Sequence, residues 1–190
     1  MAGIDEAVAA IERGAMVVIP TDTVYGIGAR PDAAAAIFDV KRRPREKALP
    51  VLGSDVVQLG GIAELDDSAR ALAETYWPGP LTIVVRRKEQ FTADLGSNDP
   101  TTVAIRVPAH PVAQELLQRT GPLAVTSANV SGEPPAATYE EACALAPELV
   151  CLDGGTCDGV PSTVLTLVGE ARVLRQGGLD LTEWLSRRGS

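Results

Sequence analysis

The stretch Ile4 to Gly28, IDEAVAAIERGAMVVIPTDTVYGIG, decides how the chain begins and what kind of fold follows. Ile4, Val8 and Ile11 fall on one face of a 3.6-residue period, so residues 4 to 13 read as an amphipathic helix, and Gly14 stands where a helix C-terminus favours glycine. Ala15 to Ile19 is then a short apolar run stopped by Pro20, which reads as a strand. Thr21 to Gly28 follows as a polar, glycine-containing connection that offers hydroxyls, the Asp22 carboxylate and the Tyr25 phenol. A connection leaving a strand end often carries binding groups, while Asp22 and Thr23 are equally suited to capping a turn.

The same alternation continues outward. Asp32 reads as the cap of a second helix with Ile37, Phe38 and Val40 on its apolar face, and Leu49 to Leu52 as a strand. A helix from about Asp67 to Trp77 ends at Pro78-Gly79-Pro80, through which no helix can run. Leu81 to Val85 and Val103 to Val107 read as strands, joined by a polar segment with Gly96 and Pro100 that reads as mobile. His110-Pro111 opens a helix to about Arg119, Leu123 to Thr126 is a strand, and Ser127 to Thr138 is a loop whose last residue caps another helix. Strands at Leu149 to Leu152, Ser162 to Leu167 and Arg172 to Leu174 precede a terminal amphipathic helix carrying Leu179, Leu181, Trp184 and Leu185. This order is too irregular for a purely parallel doubly wound sheet. The expected fold is α/β of the α+β type: one domain over residues 1 to 190, with a mixed, twisted sheet of about seven strands and helices packed on it.

Composition narrows the choices. Hydrophobic residues make up 45% of the chain and aromatic ones only 4%, so the core must be built from Val, Leu, Ile and Ala. A net charge of -8 argues against a surface designed as a whole to attract a polyanion, and leaves room for a local basic cleft. No stretch is long and apolar enough to cross a bilayer, and Asp5, Glu6 and Glu12 stand where a signal peptide would carry Lys or Arg, so the expectation is a cytoplasmic protein without a membrane partner. Cys143, Cys151 and Cys157 include no C-x-x-C pair, and His110 is the single imidazole. They read as free thiols of a reducing compartment, with neither a disulfide framework nor a metal site.

Several clusters could carry chemistry. Lys41-Arg42-Arg43-Pro44-Arg45-Glu46-Lys47 places five cations in seven positions, suited to complementing a helix C-terminus or to clamping phosphate oxygens. Ser127-Ala128-Asn129-Val130-Ser131-Gly132 follows a strand directly, where its hydroxyls and amide would project into a crevice or cap a turn. Arg106 lies inside an apolar strand, where a charge is costly unless an anion meets it, and alternation puts it on the same side as Ala104. Arg175 ends a strand before Gln176-Gly177-Gly178, and Ser162 begins one after Pro161. His110 reads as a helix-start residue rather than a catalyst.

The stretches PTDTVYGIGA, KRRPREK, YWPGPLT, TVAIRVPAHP, TSANVSGEP, LDGG, PSTV and LRQG occur in this order between about Gly14 and Gly177, and together they resemble the YrdC/TsaC family. The resemblance implies a nucleotidyltransferase that makes L-threonylcarbamoyladenylate and pyrophosphate from L-threonine, bicarbonate and ATP with Mg2+, for threonylcarbamoyladenosine modification of tRNA by a downstream transfer complex. It implies Lys41, Arg43, Ser127 and Asn129 as catalytic residues, and Arg43, Lys47, Thr102, Ser127 and Arg175 as ATP-binding. It assigns Thr23, Tyr25, Arg106 and Ser162 to threonine, and no resident metal ligand. Ala48 and Leu52 stand where many relatives have proline and histidine, Pro161 where many have glutamate, and Gln176 where proline is common. Two other readings share the fold: a non-catalytic RNA-binding module, against which the overall charge speaks, and the carbamoyl-transfer domain of hydrogenase-maturation proteins, whose cysteine motifs are missing here. Any lid is expected to come from within the chain, with Gln90 to Pro100 and Val130 to Thr138 as candidates.

Overall fold

A computed structural model describes residues 2–129 and 133–188. Among these residues the strands are β1 (Val17–Ile19), β2 (Gly26–Ala29), β3 (Val51–Leu52), β4 (Leu81–Arg86), β5 (Thr102–Arg106), β6 (Leu123–Ser127), β7 (Val150–Cys151), β8 (Thr163–Thr166) and β9 (Arg172–Arg175). They form one sheet in the order β7-β1-β2-β6-β3-β5-β4-β8-β9. Parallel pairing joins β1 to β7, β3 to β5 and β4 to β8, and the remaining neighbours are antiparallel. The mixed sheet agrees with the sequence reading; its nine strands exceed the expected seven.

The strand with no counterpart among the segments read as strands is β2, which local sequence presents as a loop. Gly26 and Gly28 weaken any strand signal, yet this segment pairs on both sides, with β1 and with β6. Glycine is required at position 26 because a Cβ there would lie 2.6 Å from Val125 Cγ1.

Helices α1 (Ile4–Glu12), α2 (Ala35–Lys41), α3 (Val56–Gly60), α4 (Asp67–Tyr76), α5 (Pro111–Thr120), α6 (Tyr139–Leu145) and α7 (Thr182–Arg188) pack on this sheet. The expected caps form at α5 and α6: His110 Nδ1 accepts from Val112 N, and Thr138 with Glu141 makes a reciprocal capping box. Asp32 does not cap α2. It sits in a 3-10 turn, Pro31–Ala33, paired with Arg30, and Val40 is exposed rather than on an apolar face. Helix α3, absent from the sequence reading, is a short turn capped by Asp55.

Strand alternation sorts the side chains. On β1, Val17 and Ile19 join the cluster formed with Ile11 of α1 and Leu116 of α5, while Val18 joins the cluster around Ala142 of α6. On β4 and β5, Leu81, Ile83, Val85, Val103 and Ile105 enter the largest core together with Leu72 of α4. Thr82 and Arg106 consequently point to the other side. The apolar core thus fixes which polar groups are left to build a site.

One expectation about mobility is corrected. The segment from Gln90 to Pro100 is anchored, not mobile: Leu95 is buried and accepts from Leu49 N, Ser97 N donates to Arg45 O, and Asp94 pairs with Arg45. Of the other lid candidate, residues 130–132 lie outside the described residues, and Ala136 is buried with its carbonyl accepting from Tyr25 N.

Cys143 and Cys151 are joined as a disulfide, contrary to the free-thiol reading, and Cys157 is a buried thiol. Spacing arguments fail here because the fold, not the sequence, lays α6 against β7 and brings the two Cα atoms to 6.0 Å. Cross-linking so short a loop contributes about 2–3 kcal/mol in the chain-entropy account. Reduction is therefore expected to lower the melting temperature by roughly 5–10 °C. Calorimetry with and without dithiothreitol checks this, and a Cys143→Ser, Cys151→Ser protein should melt at the reduced value in both conditions.

Candidate active site

A cavity of about 180 Å³ opens among Thr21, residues 23–26, Arg43, Pro50, Leu52, Thr82, Arg106, residues 125–127, Pro135, Pro161, Ser162 and Arg175. These residues come from β2, β3, β4, β5, β6 and β9 and from the loops beside them. The polar face left by core packing is the one that faces this space.

Arg106 sits at the end of β5, 5% exposed. Its Nε donates to Gly79 O at 2.9 Å, Nη1 to Thr23 Oγ1 at 2.9 Å and Nη2 to Asp22 Oδ1 at 2.6 Å. A guanidinium has five N–H groups, so three bonds to the protein leave two for a ligand. Burial lowers the Arg106 pKa, Asp22 opposes that shift, and Arg175 adds to it. A buried guanidinium beside another arginine is the arrangement of a site that awaits an anion.

Hydroxyls surround it. Thr21 and Thr23 share a hydrogen bond of 3.0 Å, and Thr82 Oγ1 shares one of 2.8 Å with Ser162 Oγ. Arg175 Nη2 donates to Ser162 Oγ at 3.1 Å and to Ser162 O at 2.8 Å, and loss of water around its guanidinium lowers its pKa. Val24, Leu52 and Val125 supply the apolar part of the wall.

The basic stretch folds back onto β6. Arg42, the C-cap of α2, adopts φ 47 and ψ 40, and the chain turns so that Arg43 N donates to Phe38 O. Lys41 Nζ then donates to Ser127 O and, at 2.8 Å, to Asn129 Oδ1, which also accepts from Ser127 Oγ at 2.7 Å. Arg43 reaches Thr126 Oγ1, Lys47 O and Ala48 O. Burial, and secondarily Arg43, lower the Lys41 pKa to about 8; burial, and secondarily Arg175, lower that of Arg43.

Lys41, Arg43, Ser127 and Asn129 are therefore brought together, as are Thr23, Arg106, Ser162 and Arg175. Tyr25 lines the cavity, but its hydroxyl is committed elsewhere: it donates to Gly155 O at 2.8 Å and accepts from Gly154 N at 3.1 Å. Burial raises its pKa. Gly154 is pressed against Pro20 and His110, both within 2.6 Å of where a Cβ would stand. Lys47 is exposed and offers its carbonyl to Arg43 rather than its ammonium to the cavity. Thr102 lies at the opposite end of β5 from Arg106, across from Arg86, donates to Asp99 O, and does not line the cavity. His110 Nε2 meets Gly154 O at 3.2 Å while Nδ1 accepts a backbone N–H, which uses both ring nitrogens in structure. The sequence reading missed Thr21, Thr82 and Thr126, whose hydroxyls belong to stretches it had singled out but which no charge marked.

Fold and site define a small-molecule-binding α/β domain whose cavity suits an anionic ligand. The Sua5/YciO/YrdC family model, described as telomere recombination, matches residues 9–177, and the chain belongs to this family. A Mycobacterium tuberculosis protein named as a candidate threonylcarbamoyl-AMP synthase is 44% identical over 183 residues, 92% of this chain and 84% of its own. The threonylcarbamoyl-AMP synthase of Pyrococcus abyssi is 40% identical over 183 residues, which cover 91% of this chain and 53% of that relative. The crystal structure of P. abyssi Sua5 complexed with L-threonine superposes with a TM-score of 0.86 at 36% identity, covering 96% of this chain and 56% of the other.

The Lys41 shift has a signed consequence. Its folded pKa of about 8 lies below the ordinary 10.5, so the unfolded chain holds this proton to higher pH, and the Lys41 contribution to stability rises as pH climbs from about 8 to 10.5. An NMR titration of the lysine side chains should show one group titrating near 8, missing from Lys41→Met and moved upward by inorganic pyrophosphate. A Lys41 titrating with the surface lysines would contradict its partial burial.

Proposed function

We propose that the chain joins L-threonine to bicarbonate and activates the resulting carbamate with ATP, giving L-threonylcarbamoyladenylate and pyrophosphate. The observation that carries this reading is the charge balance of the cavity: Arg43, Arg106 and Arg175 line it, Lys41 is bonded to Ser127 at its wall, and Asp22 is the paired carboxylate. A substrate carboxylate and a polyphosphate are the partners such a set lacks.

In this reading the two remaining N–H groups of Arg106 take the threonine carboxylate, with Thr23 and Ser162 beside it. Val24, Leu52 and Val125 give the threonine methyl an apolar surface, Leu52 standing where many relatives carry histidine. Tyr25 acts through the 154–155 backbone that it holds. The threonine nitrogen bonds to the bicarbonate carbon with loss of water, a carbamate oxygen then bonds to the α-phosphorus, and the bond to pyrophosphate breaks. Lys41, Arg43 and Arg175 balance the charge that develops on the phosphates, and Ser127 and Asn129 orient them, so positioning and electrostatics carry the step. Among the described residues no three His, Cys, Asp or Glu side chains gather as a metal cage, so Mg2+ would enter on the phosphate oxygens of ATP. Lys47 and Thr102, both called as ATP contacts, would need to reach the nucleotide beyond the cavity itself.

Formation of an acyl-adenylate makes the enzyme a nucleotidyltransferase, and its product would pass to a tRNA threonylcarbamoyl-transfer complex. No helix among the described residues is long and apolar enough to cross a membrane, and we assign the protein to the cytoplasm, where thiol reduction would open Cys143–Cys151. Of the cations that would serve RNA binding, Arg43 lines the cavity, Lys41 is bonded to Ser127 and Asn129, and Arg45 is paired with Asp94, which favours the enzyme over the RNA-binding module.

Purified protein given ATP, Mg2+, bicarbonate and L-threonine should release pyrophosphate only when threonine is present, and Lys41→Ala should abolish release. Arg106→Ala should raise the threonine KM by about one to three orders of magnitude, since it removes a buried charge partner. An unchanged KM would take Arg106 out of the threonine site.

A further inference from the structure

Asp22 holds the guanidinium that the proposed function assigns to the threonine carboxylate, and its own surroundings are unusually constrained. Its Oδ1 accepts from Arg106 Nη2 at 2.6 Å and from Ala109 N at 2.9 Å. The Asp22 and Arg106 side chains are 17% and 6% exposed. The backbone on either side is pinned as well, with Thr23 O accepting from Gly159 N at 2.7 Å. One carboxylate oxygen thus ties together the connection after β1, the end of β5 and the chain leading to α5.

Asp22 itself does not line the cavity, whereas Arg106 and Thr23 do. The other protein acceptors on Arg106, Gly79 O and Thr23 Oγ1, are neutral. Asp22 is the one anion that meets this guanidinium among its hydrogen-bond partners, and a charge-assisted bond is the stronger constraint on direction. From this geometry we propose that Asp22 is a positioning residue for carboxylate recognition: it acts through Arg106, fixing the fork so that its two remaining N–H groups face the cavity.

Two physical effects oppose each other, which makes the inference decidable. A negative charge behind Arg106 weakens the pull on an incoming carboxylate, so removing it should tighten binding if Asp22 only neutralises. If Asp22 positions the fork, removing its charge should weaken binding instead, because the guanidinium loses its strongest anchor.

The inference rests on threonine being the ligand, so the wild-type enzyme is measured first for threonine-dependent pyrophosphate release. Its absence would overturn the functional reading and this inference with it. Given that activity, Asp22→Asn should raise the threonine KM about tenfold or more while the ATP KM stays within about twofold, the latter reporting an intact fold. Asp22→Glu, which keeps the charge, should recover part of the loss. In the Arg106→Ala background Asp22→Asn should add nothing, because its effect passes through the missing side chain. A threonine KM unchanged or lowered by Asp22→Asn, or single effects that multiply in the double variant, would overturn the assignment. Should Asp22→Asn not fold, Asp22→Glu carries the same double-variant comparison, multiplication again being the contradictory result.

Discussion

A guanidinium forced onto the polar face of β5 is the constraint on which this molecule depends. Val103 and Ile105 are held in the core, so strand alternation gives Arg106 no route but the opposite side. Once there it must be hydrogen-bonded, and its partners Gly79, Thr23 and Asp22 come from two separate connections. The loop after β1 and the Pro78-Gly79-Pro80 turn are thereby fastened to the strand that carries the charge. Binding geometry and local structure follow from the same packing decision.

The second half of the site is built by a different device. Lys41 closes helix α2 and the left-handed Arg42 turns the chain, so that Lys41 from the helix end and Arg43 from beyond the turn both reach the end of β6, where Ser127 and Asn129 stand. Lys41 satisfies its donors on the Ser127 carbonyl and the Asn129 amide oxygen, which makes each element a support for the other. The two halves meet at the cavity wall: burial lowers the pKa of both Arg43 and Arg106, and Arg175 adds to each shift. A site with this surplus of cations is preorganised for anions.

What could be read from the sequence was whatever has a local cause. The caps at His110 and Thr138 depend on neighbours within three residues, and the suspicion about Arg106 came from one charge in an apolar run. Strand β2 was missed because its stability comes from pairing with β1 and β6, not from its own glycine-rich composition. The Cys143–Cys151 bond was missed for the same reason, since only the docking of α6 beside β7 brings the sulfurs together. Residue types singled out the stretches that hold Lys41, Arg43, Ser127 and Asn129, which the fold brings together, yet Thr82 became visible only when β8 placed Ser162 next to it. Thr102 shows the converse: its place in a marked stretch suggested the site, and strand length carried it away.

The central claim is that Arg106 reads a carboxylate. Titration calorimetry of the protein with L-threonine and with L-threoninol, which keeps the amine, hydroxyl and methyl but lacks the carboxylate, tests it most directly. The account predicts saturable binding of L-threonine and a loss of at least tenfold in affinity for L-threoninol. Equal affinity for the two would contradict it.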